Sequence, residues 1–206
     1  LAQLIGRTPN SVALRLVNFA SVDPVLKERG VKGMDGGKKI VQPIWDEFFN
    51  NQEELIFLSE KILAEKENFT VEQKFEKLFF DIKELKGEVK LREIKTRVNQ
   101  NVFRQMVISN YTGKCAISGI DIPELLVASH IVPWSINEEE RLNPENGICF
   151  SALYDKAFDK GLIGIDEQYK ILLSKNIKKN KEAGYYDKYF APLENQTLTL
   201  PQKYLP

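Results

Sequence analysis

Val127-Ala128-Ser129-His130-Ile131-Val132-Pro133-Trp134 holds the only histidine in a chain of 206 residues. Residues 125–132 are short, apolar and partly β-branched, which predicts a strand ending near that histidine. Asn146-Gly147 follows 16 residues later and opens a second short apolar run over 147–150. Ser151 can cap a helix over 151–159, inside Tyr154-Asp155-Lys156-Ala157-Phe158-Asp159-Lys160-Gly161. Leu162-Ile163-Gly164-Ile165 and Tyr169-Lys170-Ile171-Leu172-Leu173 flank Asp166-Glu167-Gln168, the signature of a hairpin. The order is strand ending in histidine, loop with asparagine, strand, then a helix with spaced acids.

A single histidine narrows the chemistry. A zinc site built on two histidines is excluded. A general base that titrates near neutral pH without a large shift must be His130. Cys115 and Cys149 are the only cysteines and form no C-x-x-C pair, so they predict two partly buried free thiols in a reducing cytosol. The cytoplasm is the expected location. No apolar run approaches the ~20 residues of a membrane span, and no signal-peptide pattern opens the chain. It begins at Leu1 rather than Met, as an excerpt of a longer protein does.

Formal net charge is zero, against a nonspecific nucleic-acid binder that is basic throughout. The charge is unevenly spread. Residues 83–104 carry seven Lys/Arg against three Glu, and residues 170–188 carry six Lys against two acids. Each stretch suits either a phosphate backbone or a solvated face.

Upstream the spacing is helical. Residues 1–5 predict a short helix, Gly6-Arg7-Thr8-Pro9 a turn, and Val12, Leu14, Leu16, Val17 and Phe19 a second helix with Thr8 as its cap. That arrangement serves a helix-turn-helix and also many ordinary helix pairs. Residues 30–39 read as a loop. Ile44, Trp45, Phe48, Leu55, Leu58, Ile62 and Leu63 predict helix over 41–67, with Pro43 in the first turn. Phe75, Leu78, Phe79, Ile82 and Leu85 repeat the pattern over 71–86, ended by Gly87. A further helix over 97–111 runs through Val98, Val102, Met106 and Val107, with Arg97, Asn99, Gln100 and Arg104 on its exposed side.

Over about 60 residues, from Cys115 to Ser174, the chain resembles the HNH endonuclease family, whose fold is ββα-metal. The matching residues are Cys115-Ala116-Ile117-Ser118-Gly119, Ser129-His130-Ile131, Arg141-Leu142-Asn143-Pro144-Glu145-Asn146-Gly147 and Phe158-Asp159-Lys160-Gly161-Leu162-Ile163. They are similar to a bacterial subgroup of restriction and defence proteins. Arg97-Val98-Asn99-Gln100-Asn101-Val102-Phe103-Arg104 resembles the segment that precedes the nuclease core there, and residues 4–19 resemble an N-terminal segment of some relatives.

The resemblance implies that His130 is the general base and that Asn146 orients it through the neighbouring backbone. It places a metal ligand nine residues after Asn146, where histidine is frequent and this chain has Asp155. Asp159, four residues on, shares its helix face. The position before the base, often a ligand, is Ser129, a poor one unless water intervenes. Oxygen ligands suit Mg²⁺ or Mn²⁺ better than Zn²⁺. Arg141 and Lys160 are candidate phosphate contacts by proximity. Singly, each feature has an ordinary reading: a structural histidine, an Asn-Gly turn, solvated acids. Their order and spacing favour the family.

The expectation is an α+β chain: a helical module over 1–68, helix-turn-helix-like in its first residues, a helical connector over 69–112 and an HNH nuclease domain over 113–206. The expected activity is that of a metal-dependent hydrolase acting on DNA phosphodiester bonds in restriction or antiviral defence. Two copies would explain cutting of both strands of a duplex. The alternative is an inactive HNH-fold protein that binds DNA or a partner.

Overall fold

The Thr8 hydroxyl accepts the Ser11 N–H at 3.2 Å and Pro9 follows it, so α1 (Pro9–Ala20) starts where predicted. The computed structural model describes residues 1–79, 82 and 84–206. Ahead of α1, residues 1–5 form only a turn, closed by the Ile5 N–H on the Leu1 carbonyl at 3.0 Å. Five residues gain too few hydrogen bonds to offset helix nucleation, and Gly6 leaves the helical region at φ +64°. Asp23 caps α2 (Pro24–Glu28) through the Val25 and Leu26 N–H groups.

The loop predicted over 30–39 is shorter than expected. A 3₁₀ turn occupies Asp35–Gly37, and α3 (Lys38–Phe48) begins at once, so Pro43 lies inside the helix rather than in its first turn. Gly37 meets the buried Asn18 of α1, whose side chain would stand 2.2 Å from a Cβ there. Asn51 interrupts the helix predicted over 41–67 and caps α4 (Gln52–Lys66). A reciprocal Thr70–Gln73 capping box opens α5 (Val71–Lys74), which lasts one turn before a 3₁₀ turn at Glu76–Leu78. The helix predicted over 71–86 is therefore not continuous; Phe80, Asp81 and Lys83, which it spans, lie outside the described residues. Its apolar positions are nonetheless inward. Phe79 and Ile82 join Phe57, Ala64, Val71, Ile94 and Val98 in one core, with Phe75, Leu78 and Leu85 against it.

The helix predicted over 97–111 is α6 (Gly87–Asn110), which starts ten residues earlier. Its first turns are rich in Lys, Arg and Glu, good helix formers that carry little apolar periodicity. Asn99 is fully buried and donates to the Glu53 carbonyl at 3.1 Å, a correction to its expected place on an exposed face.

The described chain divides into two units, Leu1–Gln100 and Asn101–Pro206. In the second, β1 (Leu126–His130) and β2 (Gly147–Ser151) pair antiparallel, with Leu126 opposite Ser151 and His130 opposite Gly147. Every residue of β2 is buried. Ser151 leads into α7 (Ala152–Asp159), which packs on both strands. Ser151 holds the N-cap position without a capping side-chain bond; its own N–H donates to the Cys115 sulfur at 3.1 Å. The predicted hairpin is β3 (Ile163–Ile165) and β4 (Ile171–Leu173), whose turn is tied by Asp166 to the Gln168 and Lys170 N–H groups. Short helices α8 (Lys175–Lys178) and α9 (Gly184–Tyr189) follow. The fold is α+β, helical in its N-terminal region.

The last turns of α6 lie behind β2. A Cβ on Gly147 would stand 2.3 Å from Val107 Cγ2 and 2.8 Å from Phe103 Cζ. Glycine is needed there for close approach rather than for turn geometry. Gly147→Ala is expected to destabilise the second unit by about 1–3 kcal/mol through overpacking; urea unfolding measures it, and an unchanged midpoint would refute the close approach.

Candidate active site

His130 ends β1 half-exposed, its ring face stacked on Phe103 with centroids 3.8 Å apart and planes 11° off parallel. Trp134 meets the same ring edge-on at 5.6 Å and 84°. His130 Nε2 lies 3.0 Å from the Arg141 carbonyl oxygen. A carbonyl only accepts, so Nε2 carries the hydrogen and donates it. Nδ1 is then an unprotonated acceptor. Burial pulls the imidazole pKa below its ordinary 6.5, and the carbonyl bond opposes this only partly.

Asn146 does not touch the imidazole. It is buried in the 3₁₀ turn Pro144–Asn146 just before β2. Its Oδ1 accepts the Val132 N–H at 2.7 Å, and Nδ2 donates to the Val132 and Glu140 carbonyls, each at 3.0 Å. Its own carbonyl accepts the Ile131 N–H at 3.0 Å. Asn146 thereby joins the chain just past His130 to the loop holding Arg141.

Arg141 enters the site through its backbone. Its guanidinium lies over Trp134 at 5.4 Å, donates from Nε to the Trp134 carbonyl at 2.8 Å, and pairs with Glu138 at 3.2 Å. On α7, half-buried Asp155 accepts the Ser129 hydroxyl at 2.5 Å, which links it to the residue before His130. Asp159 and Lys160 lie exposed at the end of α7 and just beyond it, and neither side chain has a hydrogen-bond or ion-pair partner among the described residues. Hydrogen bonds thus gather His130, Arg141 and Asn146, and connect Asp155 to β1 through Ser129. They do not gather Asp159 or Lys160.

A family model described as HNH endonuclease matches residues 115–166. No curated protein matches the chain. The HNH segment holds all six residues singled out from the sequence, and the match supports nuclease chemistry, hydrolytic and directed at DNA. Among the described residues no helix is long and apolar enough to cross a membrane.

Members of such a family act with a divalent ion, so the donor set matters. Among the described residues no three His, Cys, Asp or Glu side chains converge as a ready-made cage. Two carboxylates one helical turn apart offer hard oxygen ligands of the kind Mg²⁺ takes while keeping water and substrate phosphate in its shell. A closed Zn²⁺ site, with four protein ligands, does not fit.

Phe103 and Trp134 were not singled out from the sequence as parts of a site. Phe103 reads as one more apolar helix position, and Trp134 gives no sign of its ring partner. Cys115 and Cys149 are free and fully buried, more so than expected. The Cys115 sulfur accepts N–H groups from Ser118 at 3.4 Å and from Ser151. Burial pushes its pKa up, but these hydrogen bonds outweigh that and leave it lowered. Burial pushes Cys149 up to about 12.

The lowered pKa of His130 gives a signed prediction. A base must be neutral, so activity is expected to fall on the acid side with a midpoint below 6.5. Stability follows the same sense. The contribution of this residue is full above 6.5, the unfolded value, and is lost as pH drops through the folded value, because there the unfolded chain binds more protons. Proton NMR of the lone imidazole reads that midpoint; a value above 6.5 would contradict the burial.

Proposed function

We propose that this chain is a metal-dependent endonuclease that hydrolyses DNA phosphodiester bonds, with His130 as general base. The observation that carries this reading is the bond from His130 Nε2 to the Arg141 carbonyl, which leaves Nδ1 to accept a proton. Nδ1 takes the proton of a water molecule as that water attacks phosphorus. Asn146 keeps the backbone beyond His130 in place during the transfer. Asp155 and Asp159 would hold one Mg²⁺ or Mn²⁺, with Ser129 restraining the Asp155 carboxylate. Such an ion supplies charge stabilisation at the scissile phosphate and the departing 3′-oxygen, worth several kcal/mol. The Lys160 ammonium supplies positive charge beside the same helix end, and Arg141 does so at the loop. The products are a 5′-phosphate and a 3′-hydroxyl.

A role in restriction or phage defence in the bacterial cytoplasm follows the subgroup resemblance, as does action by two copies on two strands. The division into a module over 1–68, a connector over 69–112 and a nuclease domain over 113–206 remains the proposed functional layout. The test is nicking of supercoiled DNA with Mg²⁺ or Mn²⁺ and its suppression by EDTA. The nicks should be resealed by a DNA ligase, which needs those two ends. Absence of cleavage with every divalent ion, on duplex and single-stranded DNA, would leave only the binding alternative.

A further inference from the structure

We infer that Phe103 and Trp134 are positioning residues of the nuclease site, a face and an edge that together set the plane of the His130 ring. This rests on the reading of His130 as the base. A phenyl ring in a core needs only apolar neighbours, but Phe103, itself 1% exposed, lies parallel to the sole, half-exposed imidazole. The 3.8 Å centroid separation is shorter than the ~4.5–7 Å typical of aromatic pairs. At an angle of 11° the rings overlap broadly, so water is excluded from that face.

The stack is built into the β1–β2 pair. Gly147 is the register partner of His130. Its missing side chain is what lets Phe103 and Val107 approach the sheet. Arg104, next to Phe103, fixes that turn of α6 by donating to the Pro123 and Leu126 carbonyls, both at 2.9 Å.

Two choices remain for an imidazole on a platform: its plane, and which nitrogen points which way within the plane. Phe103 sets the first, and Trp134 opposes tilting at the edge. The Arg141 carbonyl sets the second by holding Nε2–H. Arg141 in turn is held by its Nε bond to the Trp134 backbone and by its guanidinium over the indole. A loosened ring would populate both nitrogens as acceptors and aim neither at the attacking water.

The chain has one histidine, so imidazole ¹⁵N spectra of the labelled protein contain one residue's signals. The wild-type protein should show a single neutral tautomer, protonated at Nε2. Phe103→Leu keeps apolar volume and removes the flat face. It should average the two nitrogen shifts toward each other and lower kcat for nicking by about tenfold, with KM within about twofold. A merely structural Phe103 would lower the melting temperature and leave the nitrogen shifts alone. Trp134→Leu, at a half-buried position where folding is expected to survive, should move the shifts in the same sense and lower kcat by a smaller factor. A folded Phe103→Leu protein with wild-type shifts and kcat overturns the proposal; if that variant does not fold, the same result in Trp134→Leu does so. A wild-type protein that shows the single tautomer but cuts no DNA instead overturns the nuclease reading, and the spectra still report whether the two rings hold the third.

Discussion

His130→Ala is expected to lower kcat for DNA nicking by about 10²–10⁴-fold, the range for losing a general base. The ring is half-buried at the end of β1, and its removal uncovers one face of Phe103. Strand pairing persists, because backbone groups make it. DNA affinity should change little, since the neutral imidazole carries no charge to a phosphate. The measurement is single-turnover nicking at pH 8, beside DNA binding and thermal melting of the same protein. Wild-type nicking by a folded His130→Ala protein would remove the base from the mechanism. Equal losses of nicking and DNA binding would make His130 a binding group.

Asn146→Ala should be the most damaging to stability, at about 2–4 kcal/mol, because it strands three backbone groups that the buried amide satisfies. Val132 loses both of its side-chain bonds, and Glu140 loses the donor to its carbonyl. Cutting should fall further than the loss of folded protein accounts for, since Val132 is two residues past His130, the proposed base. Asn146→Asp is the sharper comparison. It keeps the acceptor for Val132 N–H but turns negative charge toward two carbonyls, so it should be no more stable than the alanine variant. Urea unfolding with nicking assays at a temperature where all variants are folded separates the two effects. A stability change within about 0.5 kcal/mol, typical of surface substitutions, would show the fork to be dispensable.

Much of the second unit was legible because its elements are short and each ends in a distinctive residue. The strand ends at His130, the 3₁₀ turn ends at Asn146, and α7 begins after Ser151. The α+β class and the order of elements followed from these. The helical unit was harder. Apolar spacing over 71–86 correctly marked inward residues, yet the chain buries Phe79 and Ile82 just past a one-turn helix and a 3₁₀ turn rather than from a continuous helix. The first ten residues of α6 were missed because charged helix formers leave no apolar stripe. Asn99 looked like surface because polarity is the only cue a sequence offers, and its bond to the Glu53 carbonyl joins residues 46 apart. At the candidate site the sequence named His130, Arg141 and Asn146, which hydrogen bonds bring together, but not the rings around them. Face-to-face contact between Phe103 and His130 depends on a gap at Gly147, which sequence alone reads as a turn.

The Asn146 fork has a consequence for engineering. Because it ties residue 132 to residue 146, the tip between Trp134 and Arg141 is tethered at its base, independent of what the tip contains. Ile136 projects there at 72% exposure. Doubling the length of such a tip adds only ~0.6 kcal/mol of closure cost. A peptide grafted at that point would therefore lengthen the tip while both Asn146 bonds to Val132 persist.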